Sequence, residues 1–416
     1  MTALLSHGNK VISEGFFRDD SLDFQTRGVL GRAVRGSSEV GEVLATVARV
    51  RGAADWAPQW EITARRVHDE AARARDRGHP VSARSGFLRA ATYWACALDG
   101  LSAEPDSDEL IRVFRAHREC WEEFVACSEG AYLRVPVAYE STQLPGFLLR
   151  PDASGTPRPT LVITNGSDGS ISDLWTTAAA GALARDWNAF VYDGPGQQSM
   201  LFEHGTHFRH DWEAVLTPVV DTLVARPDVD AAQLTGYGVS QAGYWLPRAL
   251  AFEHRLVAAV IDPGVVDVST SWTRSLGKNM RAALEHGDRA GFNRNLNLAM
   301  HLPGLRRTLT FRARPYRHDD WFDLFTEVSR YRLDADTVEA ITTPMLITDP
   351  DAEQFWPGQS SRLAELVRAR GGRADLARFT AEEGASEHVQ PMGRLLTENR
   401  MFDWLEELVR PQPARS

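Results

Sequence analysis

The chain has 416 residues, which is enough for two or three packed domains. Its 46 Lys and Arg residues against 56 Asp and Glu residues give a net charge of −10, which disfavours sequence-independent binding of nucleic acid or of an anionic membrane surface. Hydrophobic residues make up 43% and charged residues 25%, which excludes a disordered or fibrous chain. We therefore expect a globular protein whose partner is a small molecule.

Three cysteines are too few for a disulfide framework in a chain of this length and indicate a reducing compartment. The first ten residues lack a basic patch followed by a long apolar run, and no stretch approaches the roughly 18 apolar residues of a membrane span. These features predict a cytoplasmic protein.

Residues 1–130 are expected to form a helical N-terminal domain. Two stripes with helical spacing support this prediction; they comprise Phe87, Ala90, Ala91, Trp94, Ala95 and Leu98, and then Leu110, Val113, Phe114, His117, Trp121, Phe124 and Val125.

After residue 130 the apolar pattern changes to short runs separated by helical segments, which predicts a mostly parallel sheet with helices on both faces. Residues 132–149 predict a two-stranded hairpin. The six further predicted strands are 160–163, 189–192, 233–237, 257–261, 344–348 and 376–379. A helical segment rich in Arg and aromatic residues interrupts the pattern. We therefore predict an α/β core in two parts, 131–268 and 339–416, with a helical cap insert over 269–338.

The segment 236–243, with sequence Gly-Tyr-Gly-Val-Ser-Gln-Ala-Gly, follows a predicted strand and precedes a helix. In this context the G-x-S-x-G pattern predicts a nucleophile elbow, with Ser240 as the nucleophile. Ala242 stands where the strict pattern has glycine, but alanine is small enough for close packing of strand and helix. The alternative is a glycine-rich turn without catalytic function.

A serine hydroxyl needs a base, and the expected chain order is serine, acid, histidine. His388 fits this order because it lies in a polar loop between the last predicted strand and the last helix; the alternative is a solvent-facing loop histidine. The loop after the preceding strand offers three carboxylates for the acid, namely Asp349, Asp351 and Glu353. Asp349 also fits the role of a strand-end cap.

An oxyanion hole requires two main-chain N–H groups. One is expected from Gln241, directly after the nucleophile, and the other from Gly166 or Ser167 in the loop Asn165-Gly166-Ser167-Asp168-Gly169. An ordinary strand-to-helix turn would also favour Asn-Gly and Asp-Gly pairs, so that interpretation stays open.

Several segments together resemble the α/β-hydrolase branch that contains 2,6-dihydroxypseudooxynicotine hydrolase and its relatives. They are the helical N-terminus, the segments 135–140 and 144–146, the Asp-Gly-Pro-Gly-Gln loop 193–197, the elbow, and the order of acid and histidine. The resemblance covers nearly the whole chain and implies an α/β-hydrolase fold with Ser240 as nucleophile and His388 as base. It favours Glu353, with Pro357 behind it, as the acid, although the branch more often carries Asp; Asp351 remains the alternative.

The resemblance implies a serine hydrolase acting on an ester or on a carbon–carbon bond beside a ketone of a small, apolar or aromatic metabolite, in secondary metabolism. An acyltransferase or cyclase on the same fold, or a non-catalytic scaffold, are the competing hypotheses. No cofactor and no metal are expected, although His204, His207 and His210 have a spacing that places the outer two on one face of a helix. A homodimer, a common state for such proteins, is the oligomer to be expected if the chain associates.

The aromatic residues of the insert allow two interpretations. Trp272, Trp321, Phe322 and Phe325 either cover an apolar substrate as a lid or pack the core of the insert itself.

Overall fold

The structure, a computed structural model, describes residues 15–101 and 107–409. The first ten residues, on which the expectation about a leader segment rests, lie outside this part. Helices precede the first strand. They are α1 (Asp20–Gly31), a 3₁₀ turn (Arg32–Arg35), α2 (Val40–Val47), α3 (Ala53–Asp76), α4 (Pro80–Leu101) and α5 (Asp108–Ala126).

Local chemistry explains how these helices begin and which face they bury. The Asp19 side chain accepts the main-chain N–H groups of Ser21 and Leu22 at the start of α1, and the Ser107 hydroxyl accepts that of Leu110 at the start of α5. The stripes predicted on α4 and α5 are buried, and their large aromatic rings fill the space between the helices and the sheet. Among the described helices, none combines the length and the apolar character needed to cross a membrane.

The strands form an eight-stranded sheet in the order β1-β4-β6-β5-β7-β8-β9-β10 and a separate two-stranded sheet, β2-β3. Their bounds are β1 (Tyr132–Arg134), β2 (Val137–Tyr139), β3 (Thr142–Leu144), β4 (Gly146–Leu149), β5 (Arg158–Thr164), β6 (Asn188–Tyr192), β7 (Val229–Val239), β8 (Ala258–Asp262), β9 (Met345–Pro350) and β10 (Ala374–Phe379). The six strands from β5 to β10 run parallel, while β1 and β4 pair antiparallel at one edge.

The prediction of a single hairpin over 132–149 was wrong. The segment forms two ladders, because β2 pairs with β3 whereas β1 pairs with β4 inside the main sheet. Pro136 separates β1 from β2 and Pro145 separates β3 from β4. Proline has no N–H to donate, so each one ends a ladder and lets the chain change sheets.

Helices cover both faces of the large sheet, which confirms the predicted fold class. Leu161 and Ile163 of β5 pack on the side of the N-terminal helices, whereas Val162 between them packs on the opposite side. Such strands are buried on both faces, which accounts for their nearly continuous apolar sequence. The helical elements after β5 are a π-helix (Trp175–Ala179), α6 (Ala180–Ala184), α7 (Gln198–Phe202), α8 (Glu213–Val224), α9 (Ala242–Leu250), α10 (Thr270–Thr273), α11 (Lys278–Glu285), α12 (Arg289–Ala299), α13 (Pro303–Ala313), α14 (Trp321–Val328), α15 (Ala335–Glu339), α16 (Gln359–Ala369) and α17 (Arg394–Leu408).

The helices from α10 to α15 lie between β8 and β9 in the chain and pack on the side of Val162. The loops that follow β5, β7, β9 and β10 all leave the sheet on the same side, at the carboxyl ends of the strands, because these strands are parallel. The residues predicted for the site lie in these loops, as expected where parallel strands end.

Candidate active site

Ser240 occupies a strained turn between β7 and α9. Its φ is +55°, a left-handed conformation that is costly for any residue other than glycine. Its main-chain N–H donates to the carbonyl oxygen of Asp262 at 2.6 Å, and its own carbonyl oxygen accepts from Gly243 at 2.8 Å. These bonds hold the hydroxyl above the end of the sheet.

Two glycines make this turn possible. A Cβ atom on Gly238 would lie 2.6 Å from the carbonyl oxygen of Ala242, and one on Gly243 would lie 1.9 Å from that of Pro263. Ala242 itself is fully buried as alanine. The close approaches therefore require glycine at Gly238 and Gly243, whereas position 242, which is glycine in the strict motif, accommodates a buried alanine.

The structure places His388 against Ser240. Its Nε2 atom lies 2.9 Å from the Ser240 Oγ atom, and its own main-chain N–H donates to the Gln354 side chain at 3.2 Å. The imidazole is 4% exposed and packs edge-on against the Phe355 ring, with the centroids 4.7 Å apart. A nearly buried histidine with a hydroxyl partner differs from the solvent-facing loop histidine of the alternative interpretation.

Glu353 lies on the other side of the imidazole. Its Oε2 atom lies 2.8 Å from His388 Nδ1, while its Oε1 atom accepts the main-chain N–H groups of Phe355 at 2.9 Å and Trp356 at 3.1 Å. Burial by itself would raise the pKa of Glu353, but the charge and hydrogen bond of His388 and the two main-chain donors outweigh it and lower the pKa below its ordinary 4.5. The carboxylate is therefore ionised at neutral pH.

Asp351, the alternative acid, is not brought to the site. It is exposed, and its main-chain N–H donates to the carbonyl oxygen of Phe379. Asp349 accepts a hydrogen bond from the Ser361 hydroxyl at 3.0 Å at the end of β9. Of the three carboxylates in this loop, only Glu353 contacts His388.

The loop after β5 lies directly against Ser240. A Cβ atom on Gly166 would lie 2.7 Å from the Ser240 Cβ atom. The Gly166 N–H donates to the Asn165 side-chain oxygen at 2.8 Å, so this candidate oxyanion donor already has an acceptor. Within the part of the chain that the structure describes, the N–H groups of Ser167 and Gln241 donate to no protein acceptor. Ser167 is thus the better candidate of the two in this loop.

The Asp-Gly-Pro-Gly-Gln segment 193–197 supports the same loop. The Gln197 side-chain amide donates to the carbonyl oxygens of Asn165 at 2.8 Å and Gly166 at 3.0 Å, and its oxygen accepts the Gly194 N–H at 2.8 Å. The motif therefore joins the ends of β5 and β6.

The cap insert contributes residues that the sequence did not mark. The Tyr316 hydroxyl donates to the Gln241 side-chain oxygen at 3.0 Å, and the main-chain N–H of Phe208 donates to the carbonyl oxygen of Pro315 at 2.8 Å. Both bonds fix the insert to the core close to the nucleophile. No spacing rule could have found Tyr316, because its position depends on how the insert folds.

Two charged groups face the same space. The Asp168 side chain keeps contact with solvent. Desolvation by the surrounding loops raises its pKa, opposed by the hydrogen bond from the Ser167 hydroxyl at 3.1 Å and by the charges of His388 and Arg312. Burial also lowers the pKa of the Arg312 guanidinium, which lies 4.2 Å from the centre of the Trp272 ring and donates to Ser271. Asp168 and Arg312 therefore add two charged side chains to the space beside the Trp272 ring.

The insert aromatics pack mainly against one another. Phe325 lies edge-on to Trp272 and to Phe292, and Phe322 lies edge-on to Phe292, with ring centroids between 5.1 and 6.0 Å apart. Trp321 donates to Asn297 on the outer part of the insert. Only Trp272 of the four residues reaches toward the site, through its edge contact with Tyr316.

The histidine series does not form a metal-binding cluster. His210 lies beside Arg330 and the Tyr331 ring. Burial, followed by nearby arginine charges, lowers the pKa of His207 and of His210. Across residues 15–101 and 107–409, no three His, Cys, Asp or Glu side chains come together as metal ligands.

Comparison with known proteins gives no match to a family model. The chain is similar to Hydrolase LUC6 of Fusarium sp, with 26% identity over 412 residues, covering 94% of this chain and 97% of that protein. It is also similar to 20-hydroxy-prefusarin hydrolase FUS2 of Gibberella moniliformis, with 28% identity over 262 residues, covering 61% of this chain and 62% of that protein. The crystal structure of 2,6-dihydroxy-pseudo-oxynicotine hydrolase superposes with a TM-score of 0.70 at 18% identity, covering 91% of this chain and 95% of that one. This likeness confirms the fold predicted from the sequence.

Proposed function

We propose that this chain, a hydrolase of the α/β-hydrolase type, works through Ser240, His388 and Glu353. The observation that carries the proposal is the continuous chain of two hydrogen bonds from the Glu353 carboxylate to His388 and from His388 to the Ser240 hydroxyl, 2.8 Å and 2.9 Å long. Nucleophile, base and orienting acid have this mutual geometry in serine hydrolases of unrelated folds.

In the proposed reaction the Ser240 oxygen attacks a substrate carbonyl carbon while His388 Nε2 takes the hydroxyl proton. Glu353 stabilises the imidazolium and fixes which ring nitrogen carries a hydrogen. The N–H groups of Gln241 and Ser167 bind the developing oxyanion. His388 then gives its proton to the leaving group, which departs as an alcohol or as a carbon acid. His388 then deprotonates a water molecule that attacks the acyl carbon; the bond to the Ser240 oxygen breaks, this oxygen takes the proton back from His388, and a carboxylic acid is released.

The substrate class we propose is an ester, or a carbon–carbon bond beside a ketone, in a small apolar or aromatic metabolite of secondary metabolism. The Phe355 and Trp356 rings beside His388, and Trp272 on the insert side, support an apolar ligand. Asp168 and Arg312 can orient its polar end. Two similar proteins are named as hydrolases of 20-hydroxy-prefusarin and of 2,6-dihydroxy-pseudo-oxynicotine, which supports a small organic molecule as the substrate.

The test is the intact mass of the protein after treatment with a fluorophosphonate. We expect one adduct on the wild-type protein, none on Ser240→Ala and a slowed reaction on His388→Ala. A folded wild-type protein that forms no adduct would contradict the proposal and favour the scaffold hypothesis. A positive result leads to a screen of aryl esters and β-diketones, in which the product masses distinguish hydrolysis from acyl transfer or cyclisation.

A further inference from the structure

Besides Glu353 and Asp168, the acidic residue Asp262 lies where the strands and loops that carry the site residues meet. It is the last residue of β8 and its side chain is fully buried. Its Oδ1 atom accepts hydrogen bonds from the Thr348 hydroxyl at 2.6 Å and the Gln390 amide at 3.0 Å. Its Oδ2 atom accepts from the Tyr237 hydroxyl at 2.5 Å and from Arg394 at 3.3 Å.

This pattern of donors suits only a carboxylate. Each oxygen of Asp262 receives one hydroxyl and one N–H group, and the N–H groups of Gln390 and Arg394 cannot act as acceptors. In asparagine, the NH₂ group would face the Gln390 amide in one orientation and the Arg394 guanidinium in the other. The surroundings therefore fit an aspartate side chain and not an asparagine, although the residue is fully buried.

The donors come from the elements that carry the proposed catalytic residues. Tyr237 lies on β7, the strand that ends directly before Ser240. Thr348 lies on β9, the strand that leads into the loop of Glu353. Gln390 follows His388 by two residues. The carbonyl oxygen of Asp262 also receives the main-chain N–H of Ser240 at 2.6 Å. One residue thus bonds to the nucleophile turn through its main chain and to the histidine loop through its side chain.

Arg394 extends this network along the histidine loop. Its guanidinium donates to the carbonyl oxygens of Val389 at 2.5 Å and Thr177 at 2.7 Å, besides the Asp262 carboxylate. Val389 and Gln390 have φ values of +53° and +45°, which are unfavourable for residues with side chains. Such a conformation persists only where the surroundings hold it. Here Arg394 binds Val389, and Asp262 binds Gln390.

We propose that Asp262 is a positioning residue, which with Arg394 holds the loop that carries His388 at the distance from Ser240 needed for proton transfer. It touches neither the reacting atoms nor His388 itself. The inference rests on the proposed function, because it needs Ser240 to act as nucleophile and His388 as its base.

The test compares the kinetics of fluorophosphonate labelling, as the maximal rate kinact and the half-saturating concentration KI. In Asp262→Asn we expect kinact to fall about 10-fold to 100-fold, as for a misplacement of catalytic groups by about 1 Å, with little change in KI. Asp228→Asn is the matched control. Asp228 is also a buried aspartate bound to arginine, at 3.0 Å from Arg150, but it lies before β7, far along the chain from the histidine loop. We expect it to lower the melting temperature and to leave kinact unchanged.

Gln390→Met provides a second variant that leaves Asp262 itself in place, because it removes the amide donor to Asp262 together with the acceptor of the Thr397 hydroxyl. We expect a fall in kinact in the same direction, and this variant decides the question if Asp262→Asn does not fold. Wild-type kinact in a folded Asp262→Asn protein, or an equal fall in Asp228→Asn, would overturn the inference. A folded wild-type protein that is not labelled at all would instead overturn the proposed function, so the two failures are distinguishable.

Discussion

The side-chain amide of Gln197 donates to the carbonyl oxygen of Gly166 at 3.0 Å, across the gap between the loops that follow β6 and β5. Gly166 in turn lies against Ser240, where a Cβ atom would come within 2.7 Å of the Ser240 Cβ atom. A glutamine that contacts no reacting atom therefore sets the position of the proposed oxyanion loop.

Substitution Gln197→Glu should disturb this loop. A carboxylate at this position would face the carbonyl oxygens of Asn165 and Gly166 without a proton to donate. We expect a loss of about 1–3 kcal/mol in the free energy of unfolding, as for an unpaired buried polar group, and slower fluorophosphonate labelling. The control is Gln143→Glu on the exposed face of β3, which should change neither quantity. Unchanged labelling in Gln197→Glu would show that the loop keeps its position without this bond.

The two carboxylates of the loop after β9 should differ sharply in a labelling assay. Glu353→Gln removes the charge that stabilises the His388 imidazolium and should reduce the labelling rate by about 10²-fold or more. Asp351→Asn alters an exposed side chain and should react at the wild-type rate. The measurement is the time course of the adduct mass in both variants at one pH. The reverse order of effects would assign the acid to Asp351.

Gly166→Ala should impair the site by steric contact. Its new methyl group would meet Ser240 at 2.7 Å and the carbonyl oxygen of Val239 at 3.0 Å, and backbone atoms cannot give way cheaply. We expect a destabilisation of about 1–3 kcal/mol together with a loss of labelling. Gly28→Ala in α1, where no atom lies within 4 Å, is the matched control and should be neutral or stabilising by about 0.5–1 kcal/mol. Thermal melts and labelling rates of both variants test this expectation.

The stability contributed by Asp228 should depend on pH. Burial would raise the pKa of this carboxyl, but the hydrogen bond and charge of Arg226 and the charge of Arg150 lower it below the ordinary 3.8. Its ionised form therefore favours folding above about pH 3.8, and this contribution is lost as the pH falls through the lower pKa of the folded state. Asp228→Asn should lower the free energy of unfolding by about 2 kcal/mol at pH 6. This loss is smaller than that from breaking an ion pair deep in the core, because Arg226 is partly exposed.

Urea unfolding of the wild-type protein and of Asp228→Asn at pH 6 and pH 3 measures the difference. We expect the gap in unfolding free energy to be smaller at pH 3. A gap that is constant or larger at pH 3 would show that the carboxylate is not stabilised by its arginines.

The cysteines should react unequally in the native protein. Burial raises the pKa of Cys96 and of Cys120, and both thiols are buried, whereas Cys127 is partly exposed. The thiolate is the reactive form, so iodoacetamide at pH 8 should add at most one label, on Cys127. The denatured protein should take three labels, one on each cysteine. Labelling of native Cys96, detected by peptide mapping, would mean that the N-terminal helices open readily.

The sequence marks Ser240 and His388, the proposed nucleophile and base, because each has a local signal. Ser240 lies in a glycine-rich motif between strand and helix, and His388 lies in a polar loop at the end of the sheet. The choice between Glu353 and Asp351 could not be made from spacing, because it depends on the turn that points the N–H groups of Phe355 and Trp356 at Glu353. Side-chain direction in a loop is a property of its fold.

Two other features of the fold have a signal in the sequence, and two residues of the insert have none. The prolines that split the predicted hairpin stand at positions 136 and 145, and they already exclude one continuous ladder. Asp262 ends an apolar run, where a buried charge is costly unless several groups bind it. Tyr316 and Arg312 had no such signal, since only the packing of the insert brings them to the site.

The hydrogen bond between His388 and Ser240 joins residues 148 positions apart, and the network that supports it also requires Arg394 on α17. During synthesis the sheet can begin to assemble well before these late residues have left the ribosome. A nascent chain that has not reached His388, or a fragment cut in the loop after β10, would therefore contain Ser240 without His388, its proposed base, and should react with a fluorophosphonate only slowly. Full reactivity of Ser240 would thus require that His388 and Arg394 have been synthesised and have folded onto the sheet.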